Sequence, residues 1–172
     1  MPDLERLLRA AARVRKNAWA PYSNFKVGAA VLAGGQIFAG CNVENSSYPL
    51  SVCAERNAVA AAVAAGHRRV DAVAIVGGAA RPSAPCGGCR QVLSELAGEE
   101  TPVVYASPSG ARKTTTLGAL LPASFRARDL AEAGAVTAEA AESTGSSRGP
   151  PGKRRSATRR RGTRSTGRSR SR

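Results

Sequence analysis

The sequence predicts an α/β fold in which helices sandwich one mixed sheet of about five strands. Three observations carry this. Apolar positions alternate along the chain between helical spacing and short strand-length runs. Glycine or proline closes nearly every run. Hydrophobic residues make up 42% of the 172 residues but aromatics only 4%. That combination points to one domain whose core is built from Ala, Val and Leu.

Residues 3–19 place Leu4, Leu7, Leu8, Ala11 and Val14 on one helical face, with Asp3 as N-cap and Pro21 as the stop. Residues 26–33 and 36–44 read as two strands joined by a Gly34-Gly35 hairpin turn. A polar loop with Asn45, Ser46, Ser47 and Pro49 follows, then an alanine-rich helix over 53–65 closed by Gly66. His67, just beyond that glycine, reads as a solvated capping residue. Residues 70–76 form a buried strand ending in Gly77-Gly78, and a loop with Pro82 and Pro85 leads to a second helix over 87–96. Strands over 101–106 and 113–117 flank a turn at 107–110, and 118–122 and 125–133 are short helical candidates. No internal repeat is present.

The net charge of +14 is unevenly distributed. Residues 143–172 hold eleven Lys or Arg and no acid, whereas residues 1–142 hold fifteen basic and twelve acidic side chains. The basicity belongs to the tail, so the charge does not mark the folded part as a nucleic-acid binder. Residues 143–172 also lack any large apolar side chain and are expected to be disordered. Residues 131–142 read as a helical or linker extension of a domain spanning 1–130. Two readings stay open for the tail: an electrostatic arm for weak binding of RNA, DNA or another polyanion, and a tolerated extension. Its lack of aromatic residues for base stacking favours the second. No apolar run approaches the ~18 residues of a membrane span. The charged opening Met1-Pro2-Asp3-Leu4-Glu5-Arg6 is unlike a signal peptide, so the expected compartment is the cytoplasm. Four cysteines in that compartment point to metal or chemistry before disulfides.

Two stretches carry the chemistry: Cys53-Ala54-Glu55-Arg56 and Pro85-Cys86-Gly87-Gly88-Cys89. Each is expected to open a helix, where the backbone dipole favours thiolate, the form that binds zinc. Cys86 and Cys89 share one helical turn, and Cys53 supplies a third ligand. Three protein ligands leave one position for water, the arrangement of a catalytic zinc. Three thiolates leave such a site net negative, and Arg56 stands where it can bond to the sulfurs and offset that charge. Glu55 lies beside the bound water and suits a proton shuttle. A structural four-cysteine site would need Cys41, which lies mid-strand and reads as a small buried hydrophobe. A redox CxxC would need a thioredoxin-like context that is missing here.

These residues resemble the zinc deaminase signature H-x-E…P-C-x-x-C in its three-cysteine form, with Cys53 in the place of the signature's His. The wider chain is similar to the small homotetrameric cytidine deaminases, through the segment Pro21-Tyr22-Ser23-Asn24-Phe25-Lys26-Val27-Gly28-Ala29-Ala30, through Gly40-Cys41-Asn42-Val43-Glu44-Asn45, through Cys89-Arg90-Gln91 and Glu95, and through Leu120-Leu121-Pro122-Ala123-Ser124-Phe125. The resemblance implies a three-layer α/β/α sandwich and zinc-dependent hydrolytic deamination of cytidine and deoxycytidine. It implies Cys53, Cys86 and Cys89 as zinc ligands, Glu55 as proton carrier and Arg56 as the thiolate-bonding arginine. Asn42 and Glu44 would hold the ribose, Phe25 would pack on the pyrimidine, and the Ala54 backbone would read the base edge. Phe125 would enter a neighbouring subunit's site, in a homotetramer. For Asn42 a turn role stays open, for Glu44 a solvated charge, and for Phe25 a place in the core. Two other substrate classes stay open as well, an aminopyrimidine antibiotic such as blasticidin S and cytosine within nucleic acid. So does a non-catalytic, zinc-stabilised polyanion-binding scaffold.

Overall fold

Asp3 starts the first helix as expected. Its carboxylate accepts from the Arg6 N–H at 3.0 Å and caps α1 (Leu4–Arg15). In this computed structural model, residues 2–127 and 129–131 are described. After α1 come β1 (Gly28–Ala33), β2 (Gln36–Cys41), a single 3-10 turn (Tyr48–Leu50) and α2 (Ala54–Ala64). Then follow β3 (Ala72–Val76), α3 (Gly87–Leu96), β4 (Pro102–Ala106), β5 (Arg112–Thr116) and the short α4 (Leu117–Leu120). The five strands form one sheet in the order β2-β1-β3-β4-β5, parallel between β3 and β4 and antiparallel elsewhere. The α/β fold with about five mixed strands is as the sequence predicts.

Side-chain alternation on the sheet makes the three layers. Ala30, Ala72, Ala74, Val104 and Ala106 turn towards Leu7, Ala10 and Ala11 of α1. Ala29, Val31, Val73, Ile75 and Val103 turn the other way, onto Ala54, Ala58 and Val59 of α2 and Leu93 of α3. Small side chains let the helices lie close, and at two points only glycine fits. A Cβ at Gly28 would stand 2.1 Å from the Ala11 carbonyl oxygen of α1. One at Gly40 would stand 2.5 Å from the Ala58 nitrogen of α2.

Strand direction decides where the helices start. Since β1 runs antiparallel to both β2 and β3, the latter two are parallel to each other, and β4 is parallel to β3. Helices α2 and α3 are therefore crossovers between parallel strands. They lie on the same face of the sheet, as crossovers of one handedness require. Both begin at the carboxyl end of the preceding strand, where α/β folds place their sites.

The structure departs from the sequence expectation at three places. The first helix stops at Arg15 rather than near Trp19, because the Trp19 N–H bonds to the Asn42 carbonyl and the Trp19 carbonyl accepts from Glu44. The second strand ends at Cys41, beyond which Val43 makes isolated bridges to Trp19 and Val52. His67 caps as expected, its N–H donating to the Ala62 carbonyl at 3.0 Å at the end of α2, but its ring is packed rather than solvated: it lies 5.1 Å from that of Phe38 and fills the space beneath Gly34. The hairpin turn is as expected, with φ of 55° at Gly34 and 77° at Gly35, the left-handed pair of a type I′ turn. The expectations for residues 132–172, tail included, lie outside the described residues.

Candidate active site

The two cysteine-bearing stretches meet because α2 and α3 start side by side. Cys53 and Cys86 are the N-cap residues of these helices, both in extended conformation, and neither side chain bonds to its own helix. Cys89 lies in the first turn of α3 and is fully buried. The Cys53 and Cys86 sulfurs are 4.0 Å apart, and all three sulfurs lie within 4.8 Å of one another. Thiolates held tetrahedrally ~2.3 Å from one zinc stand ~3.8 Å apart, so the set fits that ion after a small contraction. Among the described residues this is the candidate metal-ligating set, and Cys41 is not part of it. The backbone carbonyl of Cys41 accepts instead from the Asn57 side chain at 2.8 Å.

Electrostatics favours a thiolate there. The Cys53 thiol is drawn down to about 6, chiefly by the hydrogen bond from Cys89, against the pull of burial and of Glu55. Cys89 is pushed well up in turn, first by that same bond and then by burial. Arg56 is exposed; its charge is the smallest contributor to lowering Cys53, and no hydrogen bond joins its guanidinium to a sulfur among the described residues.

Glu55, in the first turn of α2, is 5% exposed. Burial is the leading cause that raises its carboxyl above the ordinary range. A carboxyl so placed holds a proton nearer neutrality, as a proton carrier must. Glu55 opens onto a cavity of about 320 Å³ together with Cys53, Cys86, Ala54, Phe25, Asn42 and Glu44. That volume lies at the small end of the ~300–1,000 Å³ range of small-molecule sites.

Seven of the ten candidate residues line this one cavity. Cys89 is buried behind it, while Arg56 and Phe125 do not line it. Phe25 is not core: it is 40% exposed and packs its ring against the backbone of Gly78. Asn42 and Glu44 are tied to the segment before β1. The Asn42 amide accepts from the Val27 N–H at 2.8 Å and donates to the Phe25 carbonyl at 3.0 Å. Glu44 accepts from the Tyr22 and Ser23 backbone N–H groups at 2.9 and 3.2 Å, and from the Ser23 hydroxyl. These bonds, the Ser23 hydroxyl foremost, hold its carboxyl below the ordinary range. Phe125 is 58% exposed, and its carbonyl accepts from the Gln91 side chain at 2.7 Å.

Sequence reasoning missed Ser23, Val27, Ile75, Gly77, Ser83 and Ala84 as lining residues. It also missed Arg90, whose guanidinium donates to the Pro85 carbonyl at 2.8 Å and the Leu120 carbonyl at 2.7 Å, anchoring the loop that presents Cys86. Ser23 and Val27 sit within the motif at 21–30, which was a usable signal; the other four lining residues carry no local one.

Comparison with known proteins agrees with this geometry. Residues 1–106 match the family described as the cytidine and deoxycytidylate deaminase zinc-binding region. A cytidine deaminase of Sporosarcina psychrophila is 43% identical over 132 residues, covering 76% of this chain and 97% of that protein. One from Mycobacterium tuberculosis is 44% identical over 133 residues, covering 76% and 96%. The crystal structure of a cytidine deaminase from Burkholderia pseudomallei superposes with a TM-score of 0.69 at 48% identity, over 73% of this chain and 100% of that one.

Proposed function

The chain belongs to the cytidine and deoxycytidylate deaminase family, and on that footing we propose that it is a zinc-dependent enzyme hydrolysing cytidine and deoxycytidine to the uracil nucleosides and ammonia. The observation that carries this is a cluster of three thiols, two of them opening with one buried carboxyl onto a single cavity of small-molecule size and the third buried just behind it. Cys53, Cys86 and Cys89 hold the zinc. The ion, when bound, supplies the Lewis acidity that makes water a nucleophile near neutral pH.

The chain's own residues do the rest. Glu55 takes a proton from the attacking water and delivers it to N3 of the cytosine ring; it then takes the remaining proton from the hydroxyl added at C4 and gives it to the 4-amino group, which leaves as ammonia while the C4 carbonyl forms. Its burial suits both directions of transfer, since a raised carboxyl pKa brings acid and base forms closer in energy. Phe25, on the wall of the cavity, packs on the pyrimidine, and the Ala54 backbone at the start of α2 meets the base edge. Asn42 and Glu44 face the ribose while their bonds to residues 22–27 keep that wall in place. Arg56 offsets the negative charge of the thiolates.

The assembly we propose is a homotetramer in which Phe125 completes a neighbour's site. Apolar side chains left open to solvent support it: Trp19 62%, Tyr48 69%, Leu50 66% and Phe125 58%. A place in the cytoplasm and a role in pyrimidine salvage are consistent with four free thiols and a nucleoside substrate. Among the described residues no helix is long and apolar enough to cross a membrane.

The test is the ultraviolet absorbance change as cytosine becomes uracil, run with the Glu55→Gln variant and zinc analysis of both proteins. Turnover by the native chain, reduced ~10²-fold or more in a variant that still holds zinc, is the expected result. Zinc-loaded native protein that leaves cytidine unchanged would overturn the proposal.

A further inference from the structure

Arg15, the last residue of α1, makes two bonds that the reaction scheme does not use. Its Nε donates to the carbonyl of Lys26 and to that of Gly77, both at 2.9 Å. The two acceptors lie on neighbouring walls of the cavity. Lys26 stands between Phe25 and Val27, which line it before β1, and Gly77 lines it just after β3.

The sheet explains why this contact is needed. The antiparallel β1–β3 ladder stops at Gly28 opposite Val76. One residue further, the two chains part to flank the cavity, and among the described residues the Lys26 and Gly77 carbonyls have no cross-strand backbone partner. The Arg15 N–H takes the place of the missing ladder bonds. Gly28 lets the end of α1 come this close, since a Cβ there would stand 2.7 Å from the Arg15 backbone nitrogen and 2.8 Å from the Arg15 Cβ. The bond to Gly77 also fixes Gly78, whose backbone packs against the Phe25 ring.

We infer that Arg15 is a positioning residue for substrate binding: its Nε–H clasps the two strand ends that form neighbouring walls of the nucleoside cavity and so sets the gap the base enters. This rests on the nucleoside-deaminase reading above. Arg15 touches neither the thiols nor Glu55, so it governs how well substrate is held and leaves the chemical step alone.

Side-chain geometry supplies a sharp test. The glutamine amide nitrogen lies as many bonds from Cα as the arginine Nε and carries two hydrogens for the two carbonyls. Methionine matches the length and offers no donor. Steady-state kinetics on cytidine with Arg15→Met should show KM raised roughly tenfold, the effect of two lost hydrogen bonds, with kcat within about threefold of native, the signature of lost ground-state binding. Arg15→Gln should restore KM to near the native value, which a need for the arginine's charge or bulk alone would not allow. Native KM in the Met variant, or a Gln variant as impaired as Met, would overturn the inference.

If the Met variant does not fold, the unaltered chain still decides. Its Arg15 Nε–H NMR signal, assigned by its loss in Arg15→Gln, should exchange slowly with solvent and shift when uridine is added. Fast exchange or no shift would overturn the inference. A native protein with no cytidine turnover sinks the functional reading, whereas native turnover with an indifferent Arg15 sinks this inference alone.

Discussion

Replacing Gly40 with alanine tests how the fold delivers its chemistry. Gly40 lies in β2, and a methyl there would meet the Ala58 nitrogen at 2.5 Å, the Ala54 oxygen at 2.8 Å and the Asn57 carbonyl carbon at 2.8 Å. All three atoms are α2 backbone, so no side chain can swing aside. Restoring an ordinary 3.4 Å contact requires the helix to withdraw by about 0.9 Å. Overpacking of this kind costs about 1–3 kcal/mol of stability. The first turn of that helix carries Glu55, with Cys53 as its cap. A displacement near 1 Å at reacting groups costs about 10²-fold in rate. Denaturant unfolding and steady-state deamination of cytidine, with zinc measured alongside, read both quantities. Gly88→Ala is the control: it lies between two of the same thiols, and a Cβ there meets nothing within 4 Å. The reasoning is refuted if Gly40→Ala keeps native stability and kcat/KM, or if the Gly88 control falls as far.

Three more outcomes are expected. Asp3→Ala removes the cap of α1 and should lower stability by about 1 kcal/mol in chemical denaturation with turnover unchanged; a native midpoint would count against the cap. Ser23→Ala should raise the titration of the Glu44 carboxyl as read by NMR, since the Ser23 hydroxyl is the leading cause of its depression. A depressed folded pKa means that Glu44 stabilises the fold at neutral pH and loses that contribution as pH falls through the folded value, so the variant should shed it at higher pH; an unmoved titration would refute the assignment. Removing zinc with a chelator should abolish turnover, and adding it back should restore turnover; an apo protein that still deaminates cytidine would exclude the three thiols as the catalytic centre.

What the sequence reveals follows the range of the interactions involved. The Gly34-Gly35 turn and the helix at 87–96 are set by adjacent residues, and both are legible. The cysteine and glutamate spacing is legible because a metal site compresses its chemistry into two helix starts. The end of α1 is not, because Trp19 leaves the helix to pair with Asn42 and Glu44, more than twenty residues on. The cap at His67 is legible from the preceding Gly66, but the packing of its ring is not, since its partners Phe38 and Gly34 belong to the hairpin. Asn42 and Glu44 stand out as binding residues, but their backbone partners at 22–27 show only once the chain folds. The Arg15 contact with Gly77 spans 62 residues and leaves no local trace.

The two helices that frame the site begin with the wrong residue for a helix. Serine, threonine or aspartate at such a position bonds back to the exposed N–H groups, as Asp3 does for α1, whereas Cys53 and Cys86 make no such bond. Each start therefore forgoes about 1 kcal/mol of stability that an oxygen side chain would supply. Selection for a sturdier apoprotein would drift towards serine at both positions, and each such gain would take a soft ligand from the metal. The durability of the scaffold and its catalytic competence thus pull against each other at the same two atoms.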